Sequence, residues 1–163
     1  MEHTSLLEQV DIFADLGPEQ LARIAHICSK RRYTKGEIIF EENSSSDELY
    51  IILRGEVEIL VDPSTVLAPD EQPQELRVVT RLRRGQSFGE VALVDGGIRS
   101  ASARCATSVC QVLVIKRNDV LKLCQEDYEM GFLLMRNLAA DLALKIRQTD
   151  LLVRQGLVWQ QHQ

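Results

Sequence analysis

The apolar residues of this chain change period twice, and those two changes constrain its fold more than any other feature. From Arg32 to Lys116 they alternate or gather in short blocks, while on either side they recur at helical spacing. Within the middle segment, Gly36-Glu37 opens Ile38-Ile39-Phe40, and the polar break Asn43-Ser44-Ser45-Ser46-Asp47 precedes Leu49-Tyr50-Ile51-Ile52-Leu53. Arg54-Gly55 then turns the chain into Glu56-Val57-Glu58-Ile59-Leu60-Val61. The two runs read as a hairpin, with Val57, Ile59 and Val61 inward and both glutamates outward. Strand character resumes from Leu76 to Leu82 and is strong from Cys110 to Ile115. At least six strand candidates in under ninety residues imply a mainly β architecture, a sandwich or a rolled barrel.

The flanks are helical. Gly17-Pro18-Glu19 looks like a helix start, and Leu21, Ile24, Ala25 and Cys28 follow on one face, which predicts a helix from Pro18 to Ser29 with His26 on the solvated side. After Lys116, Asn118 or Asp119 caps a short helix through Leu123, and a longer helix covers Asp127 to Gln155. Leu134, Leu138, Leu142, Ile146, Val153 and Leu157 form an apolar stripe along it. A helix of that length reaches ~43 Å, so part of the stripe is expected to overhang the body and meet a partner, with Leu138, Leu142 and Ile146 holding two chains together. Between strands, Asp62 to Glu75 carries Pro63, Pro69 and Pro73 and lacks apolar periodicity, so it reads as a mobile surface loop.

At 163 residues the chain has the length of one domain. Its formal charge of -5 repels a phosphate backbone, and the basic clusters Lys30-Arg31-Arg32 and Arg81, Arg83, Arg84 read as solvated faces. Cys28, Cys105, Cys110 and Cys124 form no C-x-x-C pair and read as reduced, half-buried small hydrophobes. With His3, His26 and His162 as the histidines, no metal-ligand set is written, and neither a metal nor a cofactor is expected. No apolar run approaches the ~18 residues that span a bilayer, and the amino terminus lacks the pattern of a signal peptide. A cytoplasmic protein without membrane contact is expected.

The polar residues from Arg83 to Ala103, RRGQSFGEVALVDGGIRSASA, suit a site rather than a plain connection. Gly89 allows close backbone approach, and Glu90-Val91-Ala92-Leu93 contains good helix formers, so a helical turn there would aim free N–H groups outward. Arg99 adds a planar five-donor fork matched to phosphate oxygens, and Ser100 a hydroxyl. Glu90 cannot bind phosphate but accepts a hydroxyl from an attached ribose. A nucleotide is the ligand implied.

The segment FGEVALVDGGIRSA closely resembles the phosphate-binding cassette of cyclic nucleotide-binding domains, the family of the catabolite activator protein and of protein kinase A regulatory subunits. The resemblance extends over residues 6 to 155, through VDIFADLGPEQLARIA, KGEIIFEENSSSDELYIILRGEVEIL, the cassette and the trailing helices. It implies one domain: N-terminal helices over 1–31, an antiparallel β-roll over 32–116 with the cassette at 88–101, and C-terminal helices over 117–157. It implies that Glu90 holds the ribose 2′-hydroxyl and Arg99 the phosphate. Gly89, Val91, Ala92, Ser100 and Ala101 face the ligand, and Thr149 on the last helix, or its neighbour Gln148 or Asp150, closes over the base. The family's transcription factors continue into a helix-turn-helix that is not expected in this chain, so no nucleic-acid partner is expected.

The function implied is a sensor of cyclic AMP or cyclic GMP that is not an enzyme. It is expected to be a homodimer through its C-terminal helix and to signal to an unidentified protein partner. The alternative is a structural or interaction module that keeps the roll without binding nucleotide. A DNA-binding regulator is the third reading, and it lacks its reading element.

Overall fold

The structure, a computed structural model, describes residues 4–63, 75–95 and 97–160; within these, the side chains of residues 92, 95, 152, 153 and 155–160 are excluded. The proposed loop from Asp62 to Glu75 therefore lies largely outside the described residues. Short α1 (Thr4–Leu7) and a 3-10 turn (Asp11–Phe13) precede α2 (Pro18–Ile27). Eight strands follow among the described residues: β1 (Ser29–Thr34), β2 (Ile38–Phe40), β3 (Glu48–Arg54), β4 (Val57–Val61), β5 (Arg77–Leu82), β6 (Ser87–Phe88), β7 (Ser102–Cys105) and β8 (Val109–Lys116). Helix α3 (Val91–Asp95) interrupts them after β6, and α4 (Arg117–Glu126) and α5 (Tyr128–Gln160) close the chain.

The strands form two antiparallel sheets, ordered β1-β8-β3-β6 and β2-β7-β4-β5, which is a β-roll. Two cores result. Tyr50, Ile52, Val57, Phe88, Val112 and Val114 fill the space between the sheets. On the outer face of the first sheet, Leu49, Ile51, Leu113 and Ile115 pack against Phe13, Ile24, Val120, Met130, Leu134 and Leu138. Strands β3 and β8 are thus buried on both faces, which is why their sequences read as continuous apolar blocks rather than alternating ones.

The hairpin expected between Leu49–Leu53 and Glu56–Val61 does not form: β3 and β4 belong to different sheets. Gly55 carries the crossing. It sits at φ +85°, and a Cβ there would run into the Val109 carbonyl and the Thr107 hydroxyl, so glycine alone lets the chain pass from one sheet to the other. A register shift after Ile59 also brings Leu60 into the core instead of continuing the alternation. Glu58 is not solvated as expected. It is only 6% exposed, because Arg81 on β5 and Arg104 on β7 sit opposite it on both sides and hold its carboxylate at 2.7 Å each.

Helix α2 begins at Pro18 as expected, and the Gln20 side chain accepts the Gly17 N–H at 2.9 Å. It ends at Ile27, two residues early, because Ser29 to Thr34 pair with β8. The N-terminal helical segment is therefore shorter than 1–31, and the roll starts before residue 32. Helix α4 starts at Arg117, with Lys116 as N-cap and no side-chain cap, rather than at Asn118 or Asp119. Asp127 Oδ1 accepts the Met130 N–H at 2.9 Å and starts α5. Cys105 and Cys110 are fully buried, not half-buried, and all four cysteines are free thiols. Burial pushes the Cys28 thiol up to about 12. No helix is long and apolar enough to cross a membrane among the described residues.

Helix α5 runs 33 residues, ~50 Å at 1.5 Å each. Its first half is clamped to the body: Asn137 Nδ2 donates to the Ala14 carbonyl at 2.7 Å, and Arg136 meets Asp15 at 2.5 Å. Leu134 and Leu138 are buried in the chain's own core, so Leu138 is not available to hold a second chain. Farther along, Leu144, Ile146 and Leu151 are 51%, 61% and 58% exposed.

Candidate functional site

Between the second sheet, the cassette and α5 lies a cavity of about 690 Å³, within the usual range for small-molecule sites. Its wall includes Phe40, Phe88, Gly89, Glu90, Val91, Arg99, Ser100 and Ala101 on the roll side and Asp141, Leu142, Lys145 and Thr149 on α5. Seven of the eight residues expected to face a ligand are thus gathered on one cavity. The eighth, Ala92, lies in α3 with its side chain outside the described set.

Arg99 is held by the loop that precedes β3. The Asn43 N–H donates to the Arg99 carbonyl at 2.8 Å, the Arg99 N–H donates to the Ser44 carbonyl at 2.9 Å, and Ser45 forms a bridge with Ile98. The polar break in the sequence is therefore the strap of the cassette. The guanidinium is not an open fork: Arg99 is 3% exposed, and it donates through Nη1 to the Gly89 carbonyl at 2.9 Å and through Nη2 to Ser46 Oγ at 2.5 Å and the Glu48 carbonyl at 2.7 Å. It lies 4.1 Å over the Phe40 ring, which packs with Tyr50 and Phe88. Its Nε is buried without a hydrogen-bond partner among the described residues. Burial is the largest influence on the group and lowers its pKa, while Tyr50, Glu48 and Glu90 oppose that shift.

The groups that approach the Gly89 backbone are Arg99 and Glu48. The glycine sits at φ +79°, and a Cβ would lie 2.5 Å from Arg99 Nη1 and 3.1 Å from the Glu48 carbonyl. The backbone then enters α3, whose first turn is closed by the Leu93 N–H donating to the Glu90 carbonyl at 3.0 Å. Behind Arg99, the Glu48 carboxylate binds Arg31 and accepts the Tyr50 hydroxyl at 2.7 Å. Burial alone would raise its pKa, but Arg31 and Tyr50 hold it below the ordinary carboxylate value.

Glu90 is 5% exposed, and its Oε1 meets the ammonium of Lys145 at 2.7 Å. Lys145 also reaches Asp141 Oδ2 at 2.8 Å, one helical turn earlier. Burial pulls the lysine down, but Glu90 and Asp141 outweigh it and leave its pKa above the ordinary value. Sequence reasoning missed this triad. Thr149, the helix residue expected to meet the base, is exposed and donates its hydroxyl to the Lys145 carbonyl at 3.0 Å, one turn farther along.

A second hollow, of about 340 Å³, lies between α2 and α4, where Arg23 meets Glu126 at 2.6 Å. It gathers no comparable set of buried polar groups.

The sequence profile of the cyclic nucleotide-binding domain matches residues 30–127. The chain is 33% identical over 140 residues to the cyclic AMP receptor protein of Thermus thermophilus, covering 86% of this chain and 59% of that one. It is 31% identical over 124 residues to a cGMP-dependent 3′,5′-cGMP phosphodiesterase of Dictyostelium discoideum, covering 76% of this chain and 13% of that one. The chain thus spans less than two thirds of either relative. Among solved structures, the catabolite activator protein of Thermus thermophilus superposes with a TM-score of 0.71 at 30% identity, over 88% of this chain and 62% of that one. A cyclic nucleotide-binding domain from Methylobacillus flagellatus gives 0.74 at 20% identity, over 90% and 78%, a likeness of fold. From the profile match over more than half of the chain, with the identity to these relatives beside it, it follows that the chain belongs to the cyclic nucleotide-binding domain family.

Proposed function

We propose that this chain is a sensor of a cyclic mononucleotide, cyclic AMP or cyclic GMP, and not an enzyme. The observation that carries the reading is the pairing, on one cavity, of a buried cation with a donor to spare and a buried carboxylate. Arg99 Nε has no hydrogen-bond partner among the described residues, and Glu90 retains acceptor capacity beyond its bond to Lys145. An anionic cyclic phosphate with a neighbouring hydroxyl is complementary to that pair. In this reading Arg99 takes the phosphate, with Ser100, Ala101 and the backbone of Gly89, Val91 and Ala92 around it. Glu90 takes the ribose 2′-hydroxyl, and α5, with Thr149 at the rim, covers the base.

Output would pass through α5, whose distal Leu144, Ile146 and Leu151 are exposed and suit a homodimer, with a further protein partner receiving the signal. We place the protein in the cytoplasm, without membrane or nucleic-acid contacts. The alternative, a roll that no longer binds nucleotide, draws support from one observation. Both Nη atoms of Arg99 and one oxygen of Glu90 already have protein partners.

Calorimetric titration with cyclic AMP, cyclic GMP and linear 5′-AMP separates the two. At least one cyclic nucleotide should bind, and at 100 times its dissociation constant it should stabilise the fold by about 2.7 kcal/mol. Arg99→Ala should cost ~2–5 kcal/mol of that binding. No heat and no thermal shift from either cyclic nucleotide at millimolar concentration would sink the sensor reading in favour of the alternative.

A further inference from the structure

We propose that Lys145 is a positioning residue for ribose recognition: from α5 it fixes the Glu90 carboxylate by one oxygen, so that the other is presented to the ribose hydroxyl. The inference rests on the sensor reading and adds to it the means by which α5 registers an occupied site.

The geometry begins with the cost of Glu90. A carboxylate that is 5% exposed needs a counter-charge and hydrogen bonds, or it destabilises the fold. Of the other cations on the cavity, Arg81 pairs with Glu58 at 2.7 Å, and Arg99 commits its Nη atoms to Gly89, Ser46 and Glu48. Lys145 supplies what is missing, at 2.7 Å from Oε1. A lysine side chain is flexible, and a second anchor is what holds it in one geometry. Asp141 provides that anchor at 2.8 Å, on the same helix and one turn back. The ammonium is therefore fixed from α5 and fixes Glu90 in turn.

The carboxylate is not exhausted by this contact. Two oxygens offer about four acceptor sites, and Lys145 engages Oε1. A ribose hydroxyl can thus join the pair rather than displace it, and cassette, ligand and α5 become linked from the hydroxyl through the Glu90–Lys145 hydrogen bond to the ion pair with Asp141, whose Oδ2 is buried without a hydrogen-bond partner among the described residues. The bond from Lys145 to Glu90 ties the cavity floor to α5 upstream of the exposed Ile146 and Leu151.

A ligand with and without the hydroxyl separates this role from a general one. The parent, Lys145→Met and Lys145→Gln are titrated with the cyclic nucleotide that the parent binds and with its 2′-deoxy form, after thermal melts have established that each variant folds. Both neutral variants lose charge, so both ligands should weaken. The expected signature is in the ratio: the parent prefers the ribonucleotide at least tenfold, and either variant retains less than a fifth of that preference. An unchanged ratio in a folded variant would make Lys145 a structural or purely electrostatic residue and overturn the proposal. Tighter binding by the variants would overturn it too, since Lys145 would then compete with the ribose for Glu90. A parent that binds no cyclic nucleotide removes the sensor reading itself. A parent that binds with the ratio indifferent to Lys145 removes only this inference.

Discussion

Gly89→Ala, set beside Gly85→Ala, separates the cost of a backbone angle from the cost of moving the arginine. Both glycines lie in the left-handed region, at φ +79° and +84°, where a side chain costs ~1–2 kcal/mol. Around Gly85 a new Cβ meets nothing within 4 Å, so that variant carries the angular cost alone. At ~2–4 °C per kcal/mol for a chain of this size, its melting temperature should fall by roughly 2–8 °C. At Gly89 the same Cβ would stand 2.5 Å from Arg99 Nη1, about 1 Å inside ordinary contact distance, and the guanidinium must leave. Its bond to the Gly89 carbonyl, 2.9 Å long and charge-assisted, is then lost at ~1.5–3 kcal/mol. The total of ~2.5–5 kcal/mol predicts a melting temperature lower than that of Gly85→Ala. Cyclic nucleotide affinity, read by calorimetry below both melting points, should drop at least tenfold in Gly89→Ala and stay near the parent value in Gly85→Ala. Equal affinities in the two variants would mean that Arg99 need not sit where Gly89 puts it, and the assignment of the phosphate site would fail.

Two further tests concern the roll and the helix. Arg104 and Arg81 hold the Glu58 carboxylate below the ordinary value, so the folded form binds its proton less readily than the unfolded chain does; the stabilisation is complete above the unfolded pKa of about 4.3 and is lost as pH falls through the lower folded value. Glu58→Gln should therefore melt well below the parent at pH 7, and the gap should close under acid; a gap independent of pH would refute the charge pairing. Leu151→Glu, at an exposed position on α5, should convert a dimer to a species near 18.4 kDa by light scattering, and a parent already at that mass removes the dimer.

The fold was legible where one residue type carries one meaning. Strand blocks, the Gly17-Pro18 helix start and Asp127 ahead of α5 are local signals, and each element stands within a few residues of its expected place. Pairing was not legible. Arg54-Gly55 has the composition of a hairpin turn, and only the approach of Val109 and Thr107, a third of the chain away, makes Gly55 a crossing between sheets. The cassette could be read because its residues are close in sequence. Lys145 could not, because Asp141 and Lys145 four apart look like any solvated pair on a helix. The available signal was position: each stands three residues beyond an apolar stripe residue, Leu138 and Leu142, and so flanks the buried face instead of opposing it. Burial of Glu58 was hidden for a related reason, since its two arginines arrive from strands whose register no local pattern reveals.

Strand β8 pairs with β1 on one side and β3 on the other, joining Ser29 to Val114 and Leu49 to Ile115. Both early strands must wait for it. Such distant pairings place folding in the millisecond-to-second range rather than the microsecond range of helical domains. On the ribosome the delay is longer: Leu49 to Ile52 emerge before either neighbour, β6 becomes available to one edge first, and the edge that β8 covers stays open for several seconds, at roughly 5–20 residues per second, until β8 is made. During that interval a continuous apolar run, Leu49 to Leu53, is an open sheet edge, the kind of surface on which a second nascent chain can pair.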